Sequence, residues 1–262
     1  MKKFELTAEF ITNVFGKKLF RIKALVAFGN VKKGELGGFI EKEDNLSHSG
    51  NAWVSGDAWV SGDAQVSGNA RVSGNAWVYD NAHVSGDARV YDNAHVSGDA
   101  WVSGNAQVSG NAWVSGDARV YGNAQVSGDA RVYGNARVSG DAQVSGDAWV
   151  SGDARVSGDA QVSGNARVYD NAHVSGDAWV YDNADYAVVT GFGRYFRATT
   201  FFRCKDKIIR VQCGCFYGDL AQFREIVKKT HGDSKYAKEY LAIADLMELH
   251  FSDEEENQEA AK

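Results

Sequence analysis

Twenty-two copies of one hexapeptide run from Asn51 to Asp182 without an insertion, each reading Asn/Asp–Ala–x–Val–Ser/Tyr–Gly/Asp. Ala and Val flank x, so they share one side of an extended stretch while x points to the other. The Ala/Val side is dry, and the side carrying Trp, Gln, Arg, His and Ser faces water. The Gly-Asp or Gly-Asn pair that closes each unit tolerates the positive φ of a sharp corner. In four units Asp80, Asp92, Asp170 and Asp182 replace that glycine, and each is expected to take the left-handed conformation. A six-residue unit cannot bury its apolar side alone, so successive units must coil and stack.

The Val54-to-Ala58 spacing, repeated in every unit, resembles the left-handed parallel β-helix, in which a small residue follows an aliphatic one by four places. That resemblance implies three hexapeptides per triangular coil and about seven coils. At ~4.8 Å per coil the prism would be roughly 35 Å long. Proline is absent from the whole chain, so no rung loses a ladder donor.

Composition divides the chain into segments. All seven Trp lie inside the repeat, whereas every Phe and every Lys lies outside it. Residues 1–50 carry a charge of +3, residues 51–182 carry −8 and residues 183–262 carry −1. This acidic balance argues against duplex nucleic acid as a partner, because duplex binding leans on a cationic face. No stretch is long or apolar enough for a membrane span, and no cofactor or metal motif appears. Cys204, Cys213 and Cys215 read as reduced thiols. The repeat holds no Thr, which removes the threonine ladders typical of ice-binding β-helices.

The ends read as separate structures. Residues 4–12 and 18–28 are predicted strands around a turn at 13–17, and Asn45–Gly50 is an imperfect hexapeptide. Residues 1–50 are therefore expected to form a β cap that covers the solenoid's open edge. The solenoid is expected over 51–189, with a small β-then-α domain over 190–252. Within that domain, 194–204 and 207–216 read as strands. Asp219–Gln222 reads as a capping box opening a helix that ends near Gly232. A second helix over 234–251 is predicted to be amphipathic through Tyr236, Tyr240, Leu241, Ala244, Leu246 and Leu249. The acidic tail 253–262 is expected to be disordered. The fold class is thus mainly β, with a small C-terminal α+β domain.

Two runs carry a more specific resemblance. IKALVAFGNVKKGELGGFIEKEDNLSHSGNAWV and CGCFYGDLAQFREIVKKTHGDSKYAKEYLAIADLMELHF are similar to the ends of uncharacterised hexapeptide-repeat proteins of bacteria, phages and prophages. Some of these carry an acyltransferase label. The resemblance implies a phage or prophage context in the bacterial host cytoplasm, or a place in the virion, and it implies no established activity.

With eighteen residues per coil, x positions eighteen apart fall on one face. The first face reads Trp53, Arg71, Arg89, Gln107, Gln125, Gln143, Gln161 and Trp179. Its glutamines are expected to form an amide ladder along the axis. The second reads Trp59, Trp77, His95, Trp113, Arg131, Trp149 and Arg167, with Tyr79, Tyr133 and Tyr169 beside it. The third reads Gln65, His83, Trp101, Arg119, Arg137, Arg155 and His173, with Tyr121.

The second face is the candidate binding surface, because Trp rows with Tyr and Arg have the composition of interface hot spots. Its bland reading is cross-strand packing of indoles. Arg119, Arg137 and Arg155 are a candidate anion-binding ladder, unless corner aspartates neutralise them. The leading functional reading is a non-catalytic binding or scaffold protein. It would oligomerise, with a homotrimer expected from the β-helix resemblance, or engage a host protein or a small anion such as a nucleotide. Counter-defence or nucleotide sequestration are specific versions. The alternative is an acyltransferase acting on a sugar or nucleotide with acyl-CoA. Acyltransferases of this fold use a histidine base beside a protruding loop, and this repeat has no such loop. His83 and His173 lie five coils apart, about 24 Å.

Overall fold

The computed structural model describes residues 2–252, and the predicted tail over 253–262 lies outside them. Each hexapeptide contributes a two-residue strand of x and Val, from β4 (Trp53–Val54) to β25 (Trp179–Val180). They stack in parallel into three sheets, one per face, with an eighteen-residue register throughout. The chain is a three-sided parallel β-solenoid, eight strands deep on its first face.

One rung's hydrogen bonds serve for all. Trp113 N donates to Ala130 O at 2.9 Å and Ser115 N to Val132 O at 2.9 Å, each bond linking neighbouring coils. Inside the prism every repeat Ala and Val is buried. Each Val column member contributes about 1.5 kcal/mol of burial. The corners show why the unit ends as it does. Gly104 has φ +67, and a Cβ there would stand 3.0 Å from the backbone of Gly122 on the next rung. Asp80, Asp92 and Asp170 adopt the same left-handed backbone, with φ 60, 60 and 56. Asp182 does not. Its φ is −139, and its carboxylate accepts from Ala184 N to cap a short 3-10 turn over Asn183–Asp185. The repeat stops there, so no further coil demands a corner.

The N-terminal segment continues the solenoid's own sheet. β1 (Phe4–Thr12) and β2 (Lys18–Ala24) form an antiparallel hairpin, β2 pairs with β3 (Leu36–Ile40), and β3 lies parallel to β5 (Trp59–Val60). The second face is therefore a ten-stranded sheet whose first three strands belong to the cap. On the third face Leu46 bridges Val66 and caps the Val column. That pairing is two residues out of the repeat register, so residues 45–50 do not behave as a regular hexapeptide. The first face is closed by Lys3, whose buried ammonium donates to Ala52 O at 2.9 Å and lies 4.7 Å from the Phe28 ring.

The C-terminal end is closed by a separate antiparallel sheet. Its order is β26 (Tyr186–Val189), β27 (Thr199–Arg203), β28 (Ile209–Cys213) and β29 (Phe216–Asp219). β27 and β28 fall within the two predicted strands but are shorter, and β26 and β29 have no counterpart in the prediction. Phe202, Cys204 and Tyr186 join the solenoid core, while Phe201 and Val211 face a second core with the helices. α1 (Leu220–His231) starts at the predicted capping box, with Gln222 N donating to Asp219 Oδ1 at 2.8 Å. α2 (Lys235–His250) buries Ala237, Tyr240, Ile243, Ala244 and Met247. Leu246 and Leu249 are exposed, so the buried face is rotated from the one predicted. It follows the seat offered by α1 and the sheet rather than the row of largest leucines.

Candidate functional site

The second face has the predicted register: Trp59, Trp77, His95, Trp113, Arg131, Trp149 and Arg167 stand on consecutive rungs. They do not form one uniform surface. At the N-terminal end the hairpin folds over the first rungs. Trp59 is only 4% exposed, packed with Leu19 and Phe39, and Phe15 lies 6.3 Å from Trp59 and 5.4 Å from Tyr79. The stack then runs outward through Trp77, 4.9 Å from Trp59, and His95, 4.4 Å from Trp77. His95 lies flat on Trp113, with 4.6 Å between centroids and 6° between planes.

Burial between the two indoles pushes the His95 pKa below its ordinary value. Its Nδ1 is buried with no hydrogen-bond partner among the described residues. A proton acceptor held this way lacks the positioned donor and orienting carboxylate of a general base.

Below Trp113, which is 44% exposed, the surface opens. Trp149 is clamped by two guanidinium groups, Arg131 at 5.2 Å and Arg167 at 4.9 Å from its ring centroid. Indole–guanidinium contacts at this range contribute about 0.5–1 kcal/mol each at exposed sites. Tyr133 meets Trp149 edge-on at 6.2 Å, and Tyr169 meets Tyr186 edge-on at 6.5 Å. Tyr133, Trp149, Arg167 and Tyr169 line a cleft of about 680 Å³, bounded on the far side by Asn183, Tyr186, Val188 and Thr190.

The cleft exists because of how the sheet edge is finished. β23 (Arg167–Val168) is the last strand of the second face, and among the described residues no strand pairs with its free edge. Side chains satisfy its backbone instead. Asn183 Oδ1 accepts from Arg167 N at 2.9 Å, and the Tyr186 hydroxyl donates to Arg167 O. Burial drives the Tyr186 phenol well above the ordinary tyrosine pKa, with Tyr169 adding to the shift, so this donor keeps its proton. Sequence reasoning named Tyr133 and Tyr169 but missed Asn183 and Tyr186. The signal was the broken repeat at Asn183-Ala-Asp-Tyr186.

On the first face the expected glutamine ladder is absent. Among the described residues no repeat glutamine bonds to another, and Gln107 instead accepts from the Tyr91 hydroxyl at 3.3 Å. The amide ladder runs at the corners. Asn75 donates to Asn93 at 3.0 Å, Asn93 to Asn111 at 3.1 Å, and Asn111 to Asp129 at 2.9 Å. Short corner side chains hold fixed orientations one rung apart, whereas a glutamine on a flat face has rotamer freedom to lose. The third face carries Arg119, Arg137 and Arg155 in register. They share an open cleft of about 300 Å³ with Asp117, Asn135 and Asp153.

Ten windows of the chain, many overlapping, match the family model described as the YdcK beta solenoid repeat: 64–80, 82–98, 88–104, 106–122, 112–128, 124–140, 130–146, 142–158, 148–164 and 160–176. The chain is a β-solenoid repeat protein. No curated protein matches it. The matched windows cover Trp113, Arg131, Trp149 and Arg167 but stop before Asn183 and Tyr186, so the repeat supplies one wall of the cleft and the non-repeating end supplies the other. Among the described residues no group of three or more His, Cys, Asp or Glu could hold a metal. No described helix is long and apolar enough to cross a membrane.

Proposed function

We propose that this solenoid is a non-catalytic binding protein that engages a macromolecular partner through the lower half of its second face. The observation that carries the reading is Trp149, clamped between Arg131 and Arg167 in an open cleft that also holds Tyr133 and Tyr169. Trp, Tyr and Arg in a water-accessible depression form the combination that dominates binding energy at protein interfaces. The simplest occupant is a second copy of this chain, and a homotrimer is the expected assembly. A host protein is the other occupant. The resemblance of both ends to phage- and prophage-associated proteins supports an accessory factor acting in the bacterial cytoplasm.

The experiment is native mass spectrometry of the wild type and of a Trp113→Ser/Trp149→Ser double variant, paired with affinity capture from host lysate. The expected result is an oligomer, or a captured partner, that the double variant loses while its circular dichroism is unchanged. A wild type and variant with the same mass and the same captured proteins would overturn the reading.

The acyltransferase alternative rests on His95, His83 or His173. It requires acetyl-CoA binding that calorimetry detects and that changing one of these histidines abolishes. His95 is wedged between indoles, and His83 packs on Trp101 at 4.9 Å, so neither has the geometry of a positioned base.

A further inference from the structure

The third face holds a charge arrangement that the protein leaves unresolved. Arg119, Arg137 and Arg155 pair backbone to backbone on three consecutive rungs, which sets them about 4.8 Å apart. Like charges at that distance repel by nearly 1 kcal/mol even in water. Natural surfaces relieve such a column with carboxylates, and two stand in the same cleft, Asp117 and Asp153. Yet among the described residues no carboxylate comes within ion-pair distance of any of the three arginines. Asp153 is held by Asn135 Nδ2 at 3.1 Å, as part of the corner ladder. All three arginine side chains are exposed, so their donors point into solvent.

One rung above the column stands Trp101, 48% exposed and in register with Arg119. Its ring packs on His83 on one side, and Arg119 lies on the other at 6.0 Å. That is the outer limit of a cation–π contact, so Arg119 can turn to an anion and leave the indole face open. Tyr121, 41% exposed, adds a second aromatic edge beside the same rung. From Trp101 to Arg155 the row spans three rungs, about 14 Å. It is an aromatic platform followed by evenly spaced guanidinium groups, each able to take phosphate oxygens in a forked pair of hydrogen bonds.

We propose that the third face is a binding site for a nucleoside polyphosphate, with the base on Trp101 and the phosphates laid along Arg119, Arg137 and Arg155. The length of the row matches an extended nucleoside triphosphate, from base to terminal phosphate. Bases stack on exposed aromatic rings without needing edge recognition, so the site selects for phosphate count more than for base identity. The ligand removes the repulsion within the arginine column, which the free protein carries unrelieved. This site is separate from the second-face cleft and does not depend on it.

Isothermal titration of the full chain with ATP, ADP, AMP and tripolyphosphate tests the proposal. Affinity should fall in the order ATP, ADP, AMP and weaken steeply with added salt. Arg137→Gln should weaken ATP at least tenfold and nearly abolish the preference for ATP over AMP. Trp101→Ser should weaken ATP but leave tripolyphosphate unchanged. Both positions are on the surface, and matching melting temperatures will show that the variants fold. No ATP binding at millimolar concentration would overturn the proposal. So would an Arg137→Gln variant that binds as the wild type does, or a loss caused equally by Arg131→Gln on the second face. Tighter binding of a single-stranded oligonucleotide than of ATP would also overturn it, by assigning the ladder to nucleic acid.

Discussion

Trp59 and Trp149 occupy the same repeat position on the same sheet, five rungs apart, and they have opposite fates. Trp59 is core, sealed under the β1–β2 hairpin with Leu19 and Phe39. Trp149 lines an open cleft between two arginines. The hexapeptides around them are nearly identical, so the difference comes from how each end of the sheet is finished. At the N-terminal edge three strands continue the ladder and lay a hydrophobic hairpin across the face. At the C-terminal edge two side chains, Asn183 and Tyr186, satisfy the last strand, and the chain turns away before covering the face. A repeat can therefore present the same residue as packing or as a binding group. The flanking segments choose between them.

The sharpest way to break this comparison is to truncate both tryptophans. Trp59→Ala should destabilise the protein by about 3–5 kcal/mol, the usual cost of a large aromatic removed from a packed core. Trp149→Ala should cost less, about 1–2 kcal/mol, because it loses two cation–π contacts rather than a place in a packed core. Chemical denaturation of both variants measures the difference, and equal losses would show that the two ends are not distinct. Leu19→Ala comes next, at about 3 kcal/mol. It should also make Trp59 accessible to a fluorescence quencher, whereas the same change leaves the cleft end unaltered.

The two ends also differ in their response to pH. Burial, helped by Arg71, lowers the Lys3 pKa to about 8 from an ordinary 10.5. The folded cap therefore sheds this proton before the unfolded chain does. Between about pH 8 and 10.5 the unfolded state binds more protons, and this group's contribution to stability rises with pH. Tyr186 runs the other way. Its folded pKa is raised, so the unfolded phenol ionises first and stability is lost above about pH 10. Tyr240, pushed up to about 12, chiefly by burial, adds to that fall. Melting temperatures from pH 7.5 to 11 should rise and then drop. Lys3→Met should remove the rising part, and Tyr186→Phe should soften the drop. The smallest effect expected is Arg131→Gln, about 0.5–1 kcal/mol for one cation–π contact, read as a modest shift in the denaturation midpoint.

Much of this architecture was legible because a period of six leaves few options. Ala and Val at fixed places specify one buried side, and a Gly-Asp corner specifies where the chain turns. Three units per coil came from the β-helix resemblance, the face assignments followed by counting in eighteens, and every x residue stands in the predicted column. The failures lie where the repeat stops or where side chains choose partners. The Asp182 corner differs because the repeat ends there and its carboxylate caps the local turn over Asn183–Asp185, whereas the buried face of α2 depends on α1 and the sheet, which are distant in sequence. The amide ladder was assigned to glutamines rather than corner asparagines because the sequence shows which residues align, not which rotamers can reach.

What the sequence determined by itself is the column: which residues stack, at what spacing, and on which of three faces. The repeat fixes Ala and Val on one buried side, and the resemblance to the β-helix implies three units per coil, which places the x residues eighteen apart in columns. What only the tertiary structure decided is access. The β1–β2 hairpin buries Trp59, and Asn183 and Tyr186 close the last strand without covering Trp149. The third-face arginines stand beside aspartates that do not reach them. Each outcome turns on contacts between segments far apart in the chain, where burial and side-chain reach override the uniformity of the repeat.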